Sequence, residues 1–471
     1  MLKSIFDVDT DIKLYNGNSL DVLKRMKDNS IDSIVTDPPY GLSQHTEQDI
    51  IDALTAWLAG KEYETNKKGF MANTWDSFVP GPEIWKECYR VLKPGGHMLV
   101  FAGTRTQDLM GIALRLSGFE IRDTIMWAYG SGFPHSHNIG KAIDRIQGNE
   151  RKKIPATGNL HKNKNMNDDN WTKIGMENPL MDDNNPISLE AKRWNGWGTA
   201  LKPAYEPILL VRKPIEEKNV ALNVLKYGTG GINIDECRVE TEDDLERVQG
   251  NNKDTSTPNA PNNGWKSLAQ DKGRWPANII LQKDTEEVED CFPDTTPSKK
   301  SSRGVGFTDS NIYGSGDLNY DTIRAFDDSG SASRYFNKFD YGEEDLDLIR
   351  ILYHSKANKK DRNEGLEKLE AKQYSHDGRN TPIENPYQRN NSSAQNFHPT
   401  VKPTELMRHL CRLITPKGGT IYDPFMGSGS TGKAAKLEGF NFIGSELEYD
   451  YCVISAYRVG LDESDIENVS L

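Results

Sequence analysis

The stretch Thr420 to Glu446, TIYDPFMGSGSTGKAAKLEGFNFIGSE, constrains this chain more than any other. It reads as strand, glycine turn, helix, strand. Ile421 and Tyr422 favour extended backbone and stop at Asp423. Gly427 and Gly429 then permit angles and close approaches that side chains forbid. Ser430 to Leu437 reads as a helix closed by Gly439. Phe440 to Gly444 is a second short apolar strand, ending on the acid Glu446. A helix N-terminus aimed at a ligand, with an acid one strand further on, suits a nucleoside whose ribose hydroxyls need an acceptor.

Two ligands fit such a turn. Gly427, Gly432 and Lys433 match most of the phosphate-cradling pattern GxxxxGK[ST], but Ala434 stands where a hydroxyl should hold Mg²⁺. The alternative is a pocket for S-adenosyl-L-methionine (AdoMet), with the pattern DPFxGSG and no triphosphate. The turn alone leaves the choice open.

A second stretch decides it. In Ser33 to Tyr40, SIVTDPPY, Ile34 and Val35 form a short buried strand. Asp37-Pro38-Pro39-Tyr40 stands at its carboxyl end, where open α/β sheets bind ligands. Two prolines remove two N–H donors and fix two φ angles. The stiff turn presents acceptors, the Asp37 carboxylate and the Pro38 carbonyl, beside an aromatic face. An exocyclic amino group offers two donors on a flat ring, which matches that set.

Three segments in this order resemble the DNA amino-methyltransferases of β-type motif order, the N6-adenine/N4-cytosine family: Asp37 to Tyr40, His398 to Pro403 (HPTVKP), and Asp423 to Gly429 (DPFMGSG). Matching context covers roughly the outer half of the chain. The resemblance implies an α/β fold: a doubly wound, mostly parallel, seven-stranded AdoMet-dependent methyltransferase sheet. Its motif order is circularly permuted, with an inserted target-recognition region. It implies that residues 1–214 form the first half of the catalytic domain, with a hairpin insertion at about 128–206. Residues 215–395 would hold target recognition and linkers, and 396–471 the AdoMet-binding half. The catalytic residues would be Asp37, Pro38, Pro39 and Tyr40. Asp423 and the Gly427 and Gly429 backbone would hold the methionine end of AdoMet, with Thr400 and Lys402 nearby. Glu446 would take the ribose hydroxyls, Asn18 the adenine, and Phe425 would pack on the cofactor. Asn18 replaces the usual acid of the family, so the role loses its charge.

The 471 residues suffice for two or three domains at ~150 residues each. No run approaches the ~18 apolar residues of a membrane span, and the start lacks the apolar core of a signal peptide. Cys88, Cys237, Cys291, Cys411 and Cys452 are scattered without a CxxC pair, which fits free thiols in a reducing cytoplasm. Neither the spacing nor the chemistry calls for a metal. The net charge of −12 argues against indiscriminate nucleic-acid binding. Between Arg350 and Lys417, however, 13 Lys/Arg face 7 Asp/Glu. Lys356, Lys359, Lys360 and Arg362 cluster there, as a local basic cleft or as a solvated helix face.

Strands and helices alternate along the first half, the sign of a parallel sheet. Strands are expected at Asp11 to Asn18, His97 to Ala102 and Phe119 to Trp127, and helices at Ser19 to Met26, Pro82 to Leu92 and Gln107 to Ser117. Gly41 to Thr74 reads as a polar loop. Pro207 to Val211 is a strand expected to pair antiparallel with Asp123 to Trp127. Phe133, Trp194, Trp197 and Tyr205 are candidates to touch an extruded base, or else loop packing. Short strands are expected at Gly231 to Ile234 and Asn278 to Leu281. Leu348 to Ser355 is a strand or buried helix. Thr404 to Leu413 is a helix with Thr404 as cap.

The function implied is sequence-specific transfer of a methyl group from AdoMet to the N6 of a flipped adenine in double-stranded DNA. Asp at the head of DPPY suits adenine, and N4-cytosine is the alternative. More remote are a nucleotide hydrolase using Gly427 to Lys433, and a non-catalytic DNA-binding protein. A restriction endonuclease partner and a homodimer are further expectations of the family.

Overall fold

The computed structural model describes residues 10–65, 67, 75–129, 136–155, 180–239, 273–282, 294–295, 330–332, 336–339, 357, 359–374 and 392–469. They divide between two compact units. The first holds all the strands of one large sheet. The second takes its described residues from 136–155 and 180–204.

The sheet is built from β1 (Ile12–Asn16), β2 (Ile31–Thr36), β3 (Leu92–Phe101), β4 (Glu120–Ala128), β5 (Tyr205–Arg212), β6 (Ile279–Gln282), β7 (Asn337–Phe339), β8 (Thr420–Asp423), β9 (Asn441–Glu446) and β10 (Ile466–Asn468). Their order in space is β7-β6-β4-β5-β3-β2-β8-β9-β1-β10. Every pairing is parallel except those of β5, which runs antiparallel to both β3 and β4. Asp123 lies opposite Leu210 and Trp127 opposite Glu206, the hairpin that the alternating sequence predicts.

The expectation of seven strands falls short: ten are described. The seven expected strands lie side by side, from β4 to β1. β6 and β7 extend the β4 edge and β10 extends the β1 edge, so backbone groups that would stand unpaired are covered. β6 comes from the long polar middle of the sequence, within one residue of the strand expected at Asn278 to Leu281. The strand expected at Gly231 to Ile234 does not form.

The middle strands are buried on both faces. β2 is buried at every position, and its side chains alternate between two cores. Val35, Leu99, Phe101 and Ile421 face one, and Ile34, Met98, Val100 and Tyr422 the other. The first core is covered by α9 (Thr404–Ile414), α10 (Ser430–Glu438) and α11 (Tyr449–Arg458). The second is covered by α1 (Ser19–Arg25), α2 (Glu47–Leu58), α3 (Pro82–Val91) and α4 (Gln107–Leu116). α2 lies inside the stretch expected to be a loop. Ala53 and Trp57 bury one side of it, and Thr46 with Asp49 forms a capping box that starts it. In the second unit, α5 (Ile139–Ile146) and α6 (Leu189–Arg193) lie together, tied by Asp144. Its carboxylate accepts from Arg151 Nε at 2.7 Å and from the N–H of Ile187 and Ser188. α7 (Val220–Tyr227) follows β5 and ends on Gly228 in the left-handed region.

The short helix α8 (Lys359–Asn363) corrects one expectation. Thr404 is not the cap of α9; it is the first helical residue, after Pro403. Its N–H donates to Asp361 Oδ2 at 2.8 Å, and its hydroxyl donates to Asp361 Oδ1. Lys433 Nζ lies 2.7 Å from the same carboxylate, and Arg458 Nη2 lies 3.8 Å from it. Arg362 donates to the carbonyls of Asn396 and His398. Arg362 of the basic cluster and its neighbour Asp361 therefore brace the ends of HPTVKP. The segment Leu348 to Ser355 and Lys356 lie outside the described residues. We predict that Asp361→Ala, which takes a buried carboxylate away from two buried cations, destabilises the first unit by about 3 kcal/mol. The shift of its urea unfolding midpoint measures this, and an unchanged midpoint would contradict it.

Candidate functional site

Asp37 leaves the carboxyl end of β2, and Asp423 leaves that of β8, its neighbour in the sheet. Glu446 ends β9 and Asn18 follows β1. Four adjacent parallel strands thus deliver four polar residues to one end of the sheet. That is the place where an open α/β sheet forms a crevice. A cavity of about 920 Å³ lies there, lined by Asn18, all of Asp37 to Tyr40, Thr400, Lys402, Asp423, Phe425, Gly427 and Glu446. The diproline corner and the glycine turn therefore share one crevice, although most of the chain separates them.

Asp423 is the knot of this crevice. It is 2% exposed. Thr36 Oγ1, at the end of β2, donates to its Oδ1 at 2.7 Å. Thr431 Oγ1, in the first turn of α10, donates to its Oδ2 at 2.6 Å. The N–H of Phe425 adds a third bond at 3.0 Å. Burial still pushes its carboxyl up to about 6 against those bonds. This carboxylate fixes the floor of the pocket, with its oxygens committed to protein donors.

The glycine turn has a steric reason. Gly427 has φ of 51°, and a Cβ there would lie 2.7 Å from His398 Nε2. Gly429 has φ of 76°, and a Cβ would lie 2.3 Å from Ser455 Oγ. HPTVKP therefore packs directly on the turn, which no side chain could permit. Glu446 receives the Gly427 N–H on Oε2 and the Glu448 N–H on Oε1, both at 2.9 Å. A carboxylate has lone pairs left for further donors. Burial pushes Glu446 up to about 7, opposed by those two backbone bonds. Asn18 lines the cavity, but its side-chain oxygen caps α1 by accepting from Leu20 N–H at 2.9 Å. Phe425 packs against Trp85 at 6.0 Å between ring centroids. Thr400 is exposed, and its N–H reaches His398 Nδ1 at 3.3 Å.

Lys402 is where the structure departs most from its expected neighbourhood. Its ammonium is paired with Asp37 Oδ2. It also lies 3.3 Å from the Tyr40 hydroxyl and 3.6 Å from Glu206 Oε2. The Tyr40 hydroxyl is 2.8 Å from Asp37 Oδ1 and 3.1 Å from Glu206 Oε2. Burial pulls Lys402 down from its ordinary value while Asp37 opposes it. Burial, then Asp37, raises Tyr40 well above 10. Glu206 belongs to no motif; the only hint was its place one residue into a good strand. Asp76 is a second omission. It accepts from the N–H of Gly41 at 2.8 Å and so holds the residue after the diproline turn.

Lys433 settles the phosphate-loop alternative. Its ammonium turns into the protein, 2.7 Å from both Asp361 and Glu364. It is only 2% exposed, so it cannot reach a phosphate at the turn. Phe133 lies outside the described residues. Trp194 and Trp197 pack edge to face at 4.9 Å within the second unit, and Tyr205 starts β5. Among the described residues, no group of three or more His, Cys, Asp or Glu could hold a metal, and no helix is long and apolar enough to cross a membrane.

The model of the DNA methylase family N6_N4_Mtase matches residues 31–457. The chain belongs to that family. It is 25% identical over 238 residues to the type II methyltransferase M.HindIII of Haemophilus influenzae, covering 47% of this chain and 64% of that one. It is 32% identical over 137 residues to M.HpaI of Haemophilus parainfluenzae, covering 29% and 38%. The matches thus span less than two thirds of these relatives. Among solved structures, the cytosine-N4-specific PvuII DNA methyltransferase aligns over 97% of this chain and 90% of its own, with TM-score 0.40 and 12% identity.

The cofactor of this family is AdoMet. The cavity suits it: a turn stripped of side chains, an aromatic ring, and a carboxylate with spare lone pairs. We predict that AdoMet affinity, measured by calorimetry, falls as pH drops through about 7, because protonated Glu446 loses an acceptor for hydroxyl donors. Glu446→Gln should bind about tenfold more weakly at pH 8 and lose that dependence. A variant that keeps the wild-type pH profile would exclude Glu446 from the cofactor.

Proposed function

We propose that this chain is a site-specific, adenine-specific DNA methyltransferase that acts on the N6 of an adenine flipped out of double-stranded DNA. The observation that carries the reading is the shared cavity, where Asp37 to Tyr40 and the Gly427–Glu446 edge line one space. Donor and acceptor of a methyl group need such a common chamber. The β-type, permuted motif order agrees with it: the corner carrying Asp37 comes first in the chain and the glycine turn last.

Bound AdoMet supplies an electrophilic methyl group: the target nitrogen's lone pair forms the N–C bond while the C–S bond breaks and its pair returns to sulfur. Every other element comes from the chain. Asp37 and the Pro38 carbonyl accept the two amino hydrogens and orient the lone pair toward the methyl carbon. Orientation of this kind can supply up to ~7–11 kcal/mol in ideal cases. The Asp37 charge stabilises the cationic nitrogen as it forms, then takes the proton it sheds and releases it to solvent. Tyr40 offers a ring on which the base stacks. A base inside the duplex cannot reach this floor, so it flips out at a cost of about a few kcal/mol. Base selection along the DNA falls to residues 215–395, which are largely outside the described residues. A restriction endonuclease partner, a homodimer and a cytoplasmic site of action complete the proposal.

Asp37→Ala should lower methyl transfer about a thousandfold or more and leave AdoMet affinity within about threefold. Chromatography of nucleosides from treated DNA should show N6-methyladenine. N4-methylcytosine as the sole product would replace adenine by cytosine. Equal, background transfer by wild type and variant would favour a non-catalytic DNA-binding protein.

A further inference from the structure

Behind Asp37 lie groups that the methyl-transfer scheme does not use. Lys402 sits in the floor, 5% exposed. Its ammonium touches Asp37 and lies over the Phe101 ring at 4.7 Å. Glu206 lies on its other side, with a side chain 13% exposed. The Tyr40 hydroxyl is within hydrogen-bond distance of both carboxylates. It has one proton, so it can donate to only one at a time. Asp37, Tyr40, Lys402 and Glu206 thus form one buried cluster, drawn from β2, β5 and the segment before α9.

The charges in this cluster pose a problem. A carboxylate at the target nitrogen is useful because it is negative where positive charge develops. An ammonium in contact with it cancels most of that charge. Lys402 alone would hold Asp37 in place, but would blunt its charge. A second carboxylate on the same ammonium restores a net charge of one negative. We propose that Lys402 and Glu206 are a charge-setting pair of positioning residues: the ammonium holds the Asp37 carboxylate in place by direct contact, and Glu206 on the other side of that ammonium leaves the cluster one net negative charge for the cationic nitrogen.

This inference rests on the methyltransferase reading of the same cavity. Other groups act on the cluster. Asp423 adds negative charge near Lys402 and Asp37. His398 is held neutral by burial and by nearby cations, Lys402 among them. Asp76 and Tyr129 act on Tyr40. None of these contacts the Lys402 ammonium as Asp37, Tyr40 and Glu206 do.

The test uses the full chain, tritiated AdoMet and unmethylated genomic DNA, with single-turnover methyl transfer followed from about pH 5 to pH 9. AdoMet affinity and unfolding midpoints are measured on each variant. Glu206→Gln makes the cluster neutral and should slow transfer at least about tenfold, with AdoMet affinity unchanged. Lys402→Met sets two carboxylates side by side and should move the acid limb of the rate profile up by about one pH unit or more. Lys402→Arg should leave that limb in place. The decisive variant is the double one: Lys402→Met with Glu206→Gln restores one net negative charge, so it should transfer faster than Glu206→Gln alone.

A merely structural pair predicts the opposite, a double variant no faster than the slower single one, and that result overturns the inference. So does an unmoved acid limb in Lys402→Met with AdoMet affinity lost tenfold, which would make Lys402 a cofactor ligand. Should Lys402→Met fail to fold, Glu206→Gln decides alone. It retains size and hydrogen bonding, and a wild-type transfer rate there overturns the inference. Absence of methyl transfer by the wild-type chain would instead bring down the methyltransferase reading, and the inference with it.

Discussion

The Asp423 carboxylate holds this molecule's two ends together. Its three hydrogen bonds run to the end of β2, the turn after β8 and the start of α10. β2 comes from the beginning of the chain and the other two from near its end. Burying a carboxylate is costly unless its lone pairs are met, and here three donors meet them. The cost is visible in the upward shift to about 6. Such a site cannot form until both ends of the chain have assembled, so a correct pocket and a correct fold are one event. Backbone pairing reinforces the tie, since β8 lies directly between β2 and β9.

Much of this was legible in the sequence, for a definable reason. Strands buried on both faces give apolar runs, and Ile34–Val35, His97–Ala102 and Ile421–Tyr422 each stop at a polar or turn residue; β3 starts earlier than that run, at Leu92. The glycine turn was equally plain, because Gly427 and Gly429 occupy positions where a Cβ meets His398 or Ser455. What escaped was set by tertiary contact. β10 is short and becomes a strand only by completing an existing edge. α2 lies in a polar stretch whose apolar residues, Ala53 and Trp57, are few but well placed. Thr404 looked like a helix cap by residue type, yet an aspartate 43 positions earlier does the capping.

The functional side chains divide in the same way. Residues presented by a turn, such as Asp37 and Glu446, were visible because turn chemistry is local. The partner of Asp37 was not. HPTVKP marks Lys402 as notable, but nothing in its neighbours says which acid it meets 365 positions away. Glu206 was hidden further, since a lone acid at the start of an apolar strand has no signature of its own. Its position follows from register: it faces Trp127 across the hairpin, at the end where the pocket opens.

Charge counted along the sequence says little about which cations are free for DNA. The segment from Arg350 to Lys417 carries an excess of cations, which reads as a basic cleft for phosphates or as a solvated helix face. In the structure, many of these cations are already engaged. Arg362 holds two carbonyls, Lys402 holds Asp37, and Arg408 and Arg412 clasp Glu438 between α9 and α10. A cation bound to a buried carboxylate offers little to a phosphate, because leaving its partner would strand that partner without water. Among the described residues, part of the excess is thus committed to holding the protein's own elements together. With a net charge of −12 on the whole chain, non-specific attraction to DNA is weak.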